Sequence, residues 1–122
     1  MSPPRNILVV DDDDDVRQTL MDLLRFEGFS VDSVANGQEA IEWLHGHQSS
    51  HWLIILDLMM PVMNGKAFLA ARGADPLLAP MPVIVLTAGG DCRDLVPSDR
   101  VARCMSKTIA PPELIAAIAA CN

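Results

Sequence analysis

Asp11 and Asp12 directly follow the apolar run Ile7-Leu8-Val9-Val10, and Asp57 directly follows Leu53-Ile54-Ile55-Leu56. Thr87 closes Val83-Ile84-Val85-Leu86 in the same way, and Lys107 lies just past the weaker run Val101 to Met105. Three carboxylates, a hydroxyl and an ammonium thus each stand where a strand-like segment ends. Carboxylates crowded within a few ångströms repel one another, and one must take up a proton unless a cation intervenes. A hard divalent ion with oxygen ligands relieves that repulsion, and magnesium suits because it keeps several waters and uses few carboxylates. Such an ion also neutralises the oxygens of an incoming phosphoryl group. Lys107 adds a second positive charge and Thr87 a hydroxyl donor for a phosphoryl oxygen. Asp57 is left as the nucleophile that forms an acyl phosphate.

The elements that must position these groups are legible as alternating runs. Short, continuous, β-branched stretches suit strands buried on both faces of a parallel sheet. Phe29 to Val34 is more polar and suits an edge strand. Between the runs, Val16, Leu20, Leu23 and Leu24 share one helical face. Asp13 or Asp14 is placed to cap that helix and Gly28 to follow its end. Asp13, Asp14 and Asp15 read as helix-start residues favoured by the helix dipole. Asn36-Gly37 precedes a second helix marked by Ala40, Ile41 and Leu44, and residues 65–71 suit a third. Gly89 to Pro97 should carry a helix but offers few apolar anchors, so a short or irregular one is expected. The last helix starts near Pro111-Pro112-Glu113, where proline is tolerated, and turns Leu114, Ile115 and Ile118 inward. Strand and helix alternate throughout, which implies an α/β sandwich with right-handed crossovers. In such sheets ligands bind beyond the carboxyl ends of the strands.

Composition narrows the function classes. The chain has 122 residues, half of them hydrophobic, enough for one compact domain over residues 1–122. Its net charge of -7 argues against direct nucleic-acid binding. No apolar run is long enough to cross a bilayer, and the N-terminus lacks the apolar core of a signal peptide. A soluble, cytoplasmic protein is expected. Cys92, Cys104 and Cys121 form no CxxC pair and read as three reduced thiols. His45, His47 and His51 read as an exposed loop rather than a metal site. Trp43 and Trp52 read as covers for the sheet edge, and Met59, Met60 and Met63 as packing. The alanine-rich surface from Ala116 to Ala120 leaves oligomeric state open between a partner face and plain helix propensity.

These pieces together resemble the receiver domains of two-component response regulators, CheY-like, over nearly the whole chain. The resemblance rests on Ile7 to Asp12, on Leu56-Asp57-Leu58-Met59-Met60-Pro61 with Asn64-Gly65, on Val85-Leu86-Thr87-Ala88, and on Lys107. It implies a flavodoxin-like (βα)5 three-layer sandwich with a parallel five-stranded sheet of order 2-1-3-4-5. It implies that Asp57 is phosphorylated by a sensor histidine kinase or phosphotransfer protein, and that a downstream protein target reads the result. It also implies that Asp12, Asp57 and the Met59 carbonyl contact magnesium, with Asp11 assisting. Such a domain is no enzyme in the usual sense, since it catalyses its own modification alone.

Three positions depart from the family. Thr108 replaces the proline that usually follows the lysine, so either a trans bond with a shifted loop or a strained cis bond is expected. Cys104 stands where the family often has Tyr or Phe, and is too small to act as that ring, so it reads as core filling, with phosphorylation transmitted weakly through the fourth helix and fifth strand or by another route. Met59 and Gly89 occupy positions that often tune phosphate lifetime. Neither can position a water by a side-chain hydrogen bond, so slow self-dephosphorylation is expected. Two alternatives stay open: a pseudo-receiver that binds partners without phosphorylation, and a magnesium-dependent phosphatase of the haloacid dehalogenase type. The latter needs a late acidic pair and a cap domain, neither of which is found.

Overall fold

The computed structural model describes residues 6–47, 52–60, 62–88, 92, 93, 95–107 and 110–121. Five strands, β1 (Asn6–Val10), β2 (Ser30–Val34), β3 (Trp52–Leu56), β4 (Val83–Thr87) and β5 (Arg103–Ser106), form one sheet of order β2-β1-β3-β4-β5. Every pairing is parallel. The helices are α1 (Asp14–Phe26), α2 (Gly37–Gly46), α3 (Gly65–Gly73) and α4 (Pro111–Ala120). This is the flavodoxin-like sandwich with order 2-1-3-4-5.

The apolar runs work because both faces of each inner strand are covered. Leu8, Val10, Ile54, Leu56, Val83 and Val85 pack toward Ala40 and Leu44 of α2 and Phe68 and Leu69 of α3. The alternate residues Ile7, Val9, Leu53, Ile55, Ile84 and Leu86 pack toward Leu24 of α1 and Leu114, Ala117 and Ile118 of α4. Side chains alternate across a strand, so a continuous apolar run feeds two cores at once. The polar strand β2 lies at an edge, as its sequence predicts.

Capping follows the sequence closely. Asp13 caps α1, its Oδ1 accepting from the amides of Asp15 at 2.9 Å and Val16 at 3.2 Å. Asn36 and Asn64 cap α2 and α3 similarly. Gly28 ends the α1 turn at φ 95, a left-handed conformation open to glycine at little cost.

Other expectations are corrected. Of the short or irregular helix expected over Gly89 to Pro97, residues 89–91 and 94 lie outside the described residues; beyond them Pro97–Asp99 form a 3-10 turn. Cys92 and Cys104 are not reduced thiols but a disulfide with Cα atoms 6.2 Å apart. The chain folds back through the 3-10 turn and brings them together, which spacing alone does not reveal. Cys104 still packs in part against the first core. Trp52 does not cover an edge: it opens the central strand β3 and is buried. Helix α2 runs through His45, whose ring meets Asp75 at 2.7 Å, and His47 stacks on Trp43 at 4.0 Å. Met59 is exposed by 79 %, whereas Met60 is buried as expected.

Candidate functional site

Strand ends deliver the site. Asp11 continues β1, its amide donating to the Val34 carbonyl of β2 at 3.2 Å. Asp57 continues β3, its amide donating to the Val10 carbonyl of β1 at 2.9 Å. The sheet's hydrogen bonding thus carries on one residue past each strand and aligns the two carboxylates side by side. Both are buried, at 3 % and 5 % exposure, while Asp12 is exposed. Carboxylate oxygens of Asp11, Asp12 and Asp57 lie within 4.8 Å of one another.

Lys107 reaches this group from the far side. Its Nζ lies 2.9 Å from Asp11 Oδ2 and 3.2 Å from Asp57 Oδ2. Its amide donates to the Thr87 carbonyl at 2.9 Å, which ties the end of β5 to the end of β4. The residue after it, Thr108, lies outside the described residues, as does the expected trans or cis bond. Lys107 itself meets both carboxylates without a following proline. Thr87 is buried at the end of β4 and its hydroxyl donates to the Ala88 carbonyl at 3.0 Å. Gly89 lies outside the described residues.

Contacts at both ends help shape the loop after Asp57. The Met59 amide donates to Asp57 Oδ1 at 3.2 Å. Gly65, where α3 begins, donates its amide to the Leu58 carbonyl at 3.0 Å. A Cβ at Gly65 would stand 2.6 Å from Leu58 Cα and 2.8 Å from the Asp57 carbonyl oxygen, so the helix can approach the site loop this closely only through glycine.

The electrostatics follow from crowding. Burial raises the Asp57 carboxyl, the Met59 amide opposes it, the charge of Asp11 raises it further, and Lys107 pulls it down; the net direction is up from the ordinary 3.8. Burial alone would lower the Lys107 ammonium, but its hydrogen bonds and charge contacts with Asp11 and Asp57 prevail and raise it. One lysine therefore faces two buried carboxylates with a third nearby. Oxygen donors of this number and charge fit a hard divalent ion such as magnesium.

One supporting residue escaped the sequence reading. Arg17 of α1 donates through Nη1 to the Asp11 carbonyl at 2.7 Å and pairs with Asp14. It steadies the acidic turn from beneath. Its position three residues after Asp14 on a helix was the available signal.

Residues 7–119 match the response regulator receiver domain family. Response regulator Rre1 of Synechocystis sp. is 35% identical over 121 residues, covering 97% of this chain and 52% of that protein. The transcriptional regulatory protein CpxR homolog of Haemophilus influenzae is 37% identical over 116 residues, covering 93% of this chain and 48% of that protein. The chain spans about half the length of these relatives. A crystal structure of a putative response regulator from Chloroflexus aurantiacus superposes with a TM-score of 0.87 at 27% identity, covering 98% of both chains.

Proposed function

This chain belongs to the response regulator receiver domains, and from that premise we propose that Asp57 is its phosphoacceptor. The observation that carries the reading is the contact of Lys107 Nζ with both Asp11 and Asp57 at the joint ends of β1, β3 and β5. An Asp57 carboxylate oxygen forms a bond to phosphorus as the bond from phosphorus to the donor's nitrogen or oxygen breaks. The donor is a sensor histidine kinase or phosphotransfer protein, and a downstream protein target reads the product. Lys107 holds charge beside the transferred group. Thr87 turns its hydroxyl to a phosphoryl oxygen in place of the Ala88 carbonyl.

Asp11, Asp12, Asp57 and the Met59 carbonyl would hold magnesium. When bound, the ion offsets the carboxylate repulsion and the charge of the phosphoryl oxygens. The exposed Met59 side chain offers no hydrogen bond to a water near Asp57, so slow loss of the phosphoryl group is expected. Incubation with magnesium and acetyl phosphate, read by intact mass, tests the proposal. An adduct on the wild type and none on Asp57→Asn is the expected result. An unmodified wild type would leave a partner-binding domain that works without phosphorylation.

A further inference from the structure

The connection between β4 and β5 is closed on itself by a covalent link, and its two ends are anchored differently. Cys104 lies inside β5, in register with Val85 of β4. Two pairs further along, Thr87 meets Ser106, and Lys107 follows. One end of the disulfide is thus fixed on the strand that carries Lys107, beside the strand that ends in Thr87. The other end, Cys92, sits in a turn where the Leu95 amide donates to the Cys92 carbonyl at 3.1 Å. Beyond that turn the chain is tied to α3. Lys66 donates to Asp99 Oδ2 at 2.7 Å, and Arg72 donates to the Asp99 carbonyl at 3.2 Å. Between Cys92 and Asp99, Leu95 packs in part against the first core and the Val96 amide donates to Asp99 Oδ2 at 2.9 Å.

Both cysteines are half-buried and line a surface depression of about 480 Å³, together with Arg100 and Arg103.

We infer that Cys92 and Cys104 form a thiol–disulfide switch that locks and frees the β4–β5 connection. In the closing direction the oxidant is a low-molecular-weight disulfide. One cysteine thiolate attacks it, releases one thiol and forms a mixed disulfide; the second thiolate displaces the remaining half. Two protons leave the cysteines, their sulfurs lose two electrons, and one external disulfide becomes two thiols. Closure removes chain entropy from the loop it spans. Opening frees the turn around Cys92, while the 3-10 turn stays on α3 through Lys66 and Arg72. The inference rests on where the disulfide sits and holds whether or not Asp57 is phosphorylated.

The test equilibrates the whole unphosphorylated chain in reduced or oxidised glutathione. Alkylation with peptide mapping reads the bond, and amide hydrogen exchange reads the loop. Oxidised glutathione should join Cys92 to Cys104, and reduced glutathione should open them. On reduction the Leu95 amide should exchange faster by about tenfold or more. The Ala102 amide, which donates to the Val83 carbonyl at 2.8 Å, should hold its rate. Cys92→Ser and Cys104→Ser, made separately, should each match the reduced wild type in either buffer, and either variant suffices if the other fails to fold. Two thiols that stay open in oxidised glutathione would overturn the inference. So would a Leu95 amide that exchanges equally in both states, or a serine variant that still responds.

Discussion

Asp57 and Asp99 each face a lysine, yet their carboxyls move in opposite directions. Lys107 Nζ lies 3.2 Å from Asp57, and Lys66 Nζ lies 2.7 Å from Asp99. At Asp57 burial and the charge of Asp11 win, and the carboxyl rises. At Asp99 burial acts the same way, but hydrogen bonds from Lys66 and the Val96 amide and the lysine's charge outweigh it, and the carboxyl falls. The difference lies in sharing. Lys107 is divided between Asp57 and Asp11, while Lys66 meets Asp99 directly. The end of β3 is thus left short of positive charge, and the turn before β5 is matched. A region short of charge can take up a cation; a matched one holds the fold.

The largest expected contrast is in phosphoryl uptake from acetyl phosphate with magnesium. Asp57→Asn should lose it entirely, and Asp99→Asn should keep it, as read by intact mass. Equal uptake by the two variants would erase the distinction between the regions.

Next comes the response to magnesium. A ligand that binds the folded chain alone stabilises it by about 2.7 kcal/mol at a hundredfold excess over its Kd. Wild type and Asp99→Asn should both show that gain in urea melts. Asp57→Asn should lose most of it, because one carboxylate of the three within 4.8 Å has been neutralised. A full gain in Asp57→Asn would place the ion elsewhere.

In metal-free buffer the two aspartates should also give opposite pH slopes. A carboxyl raised above its ordinary 3.8 contributes stability that is present below that value and lost as pH rises through the folded one. A lowered carboxyl contributes stability above 3.8 that is lost as pH falls through the folded value. Asp57→Asn should therefore stabilise the fold at neutral pH by about 1 kcal/mol, since it removes a buried charge without a full partner. Asp99→Asn should cost about 1 kcal/mol, the scale of a weakened charged hydrogen bond. The Asp57 difference should shrink as pH falls toward about 4, roughly the free aspartate range, whereas the Asp99 difference should persist there and shrink only below it. Urea denaturation across that interval reads them, and like signs would show that the two lysines serve their carboxylates equally.

The same two regions differ in how far the sequence announces them. Around Asp57 the information is local. Asp11, Asp57 and Thr87 each directly follow a run such as Leu53 to Leu56, and β-strand alternation plus parallel pairing carries them to the rim. Asp13, Asn36 and Asn64 cap their helices as their positions suggest. Around Asp99 the information is long-range. Lys66 and Asp99 are 33 positions apart, and Arg72 spans 27 to reach the Asp99 carbonyl. No periodicity marks such pairs. Cys92 and Cys104 flank a segment without helical pattern, and reading them as separate thiols ignored that a loop between adjacent parallel strands must return. The exposure of Met59 was hidden for a related reason, because hydrophobicity alone does not say which loop residues turn outward.

Among the described residues, each region also holds one non-glycine residue with positive φ, and the smallest expected effects lie there. Val62, in the loop between Asp57 and α3, has φ 66, and Arg100, after the 3-10 turn, has φ 54. A branched Cβ in that conformation is strained by about 1–2 kcal/mol. Val62 is 84 % exposed, so replacing it with glycine forfeits little burial. Glycine gives back about 0.5–1 kcal/mol through the freer unfolded chain. Val62→Gly should therefore stabilise by about 0.5 kcal/mol. Arg100→Gly relieves an unbranched side chain, which is less crowded, and should come out near neutral. Urea midpoints measured side by side decide the order. If Arg100→Gly gained more than Val62→Gly, the greater backbone strain would belong to the turn beside Asp99 and not to the loop that follows Asp57.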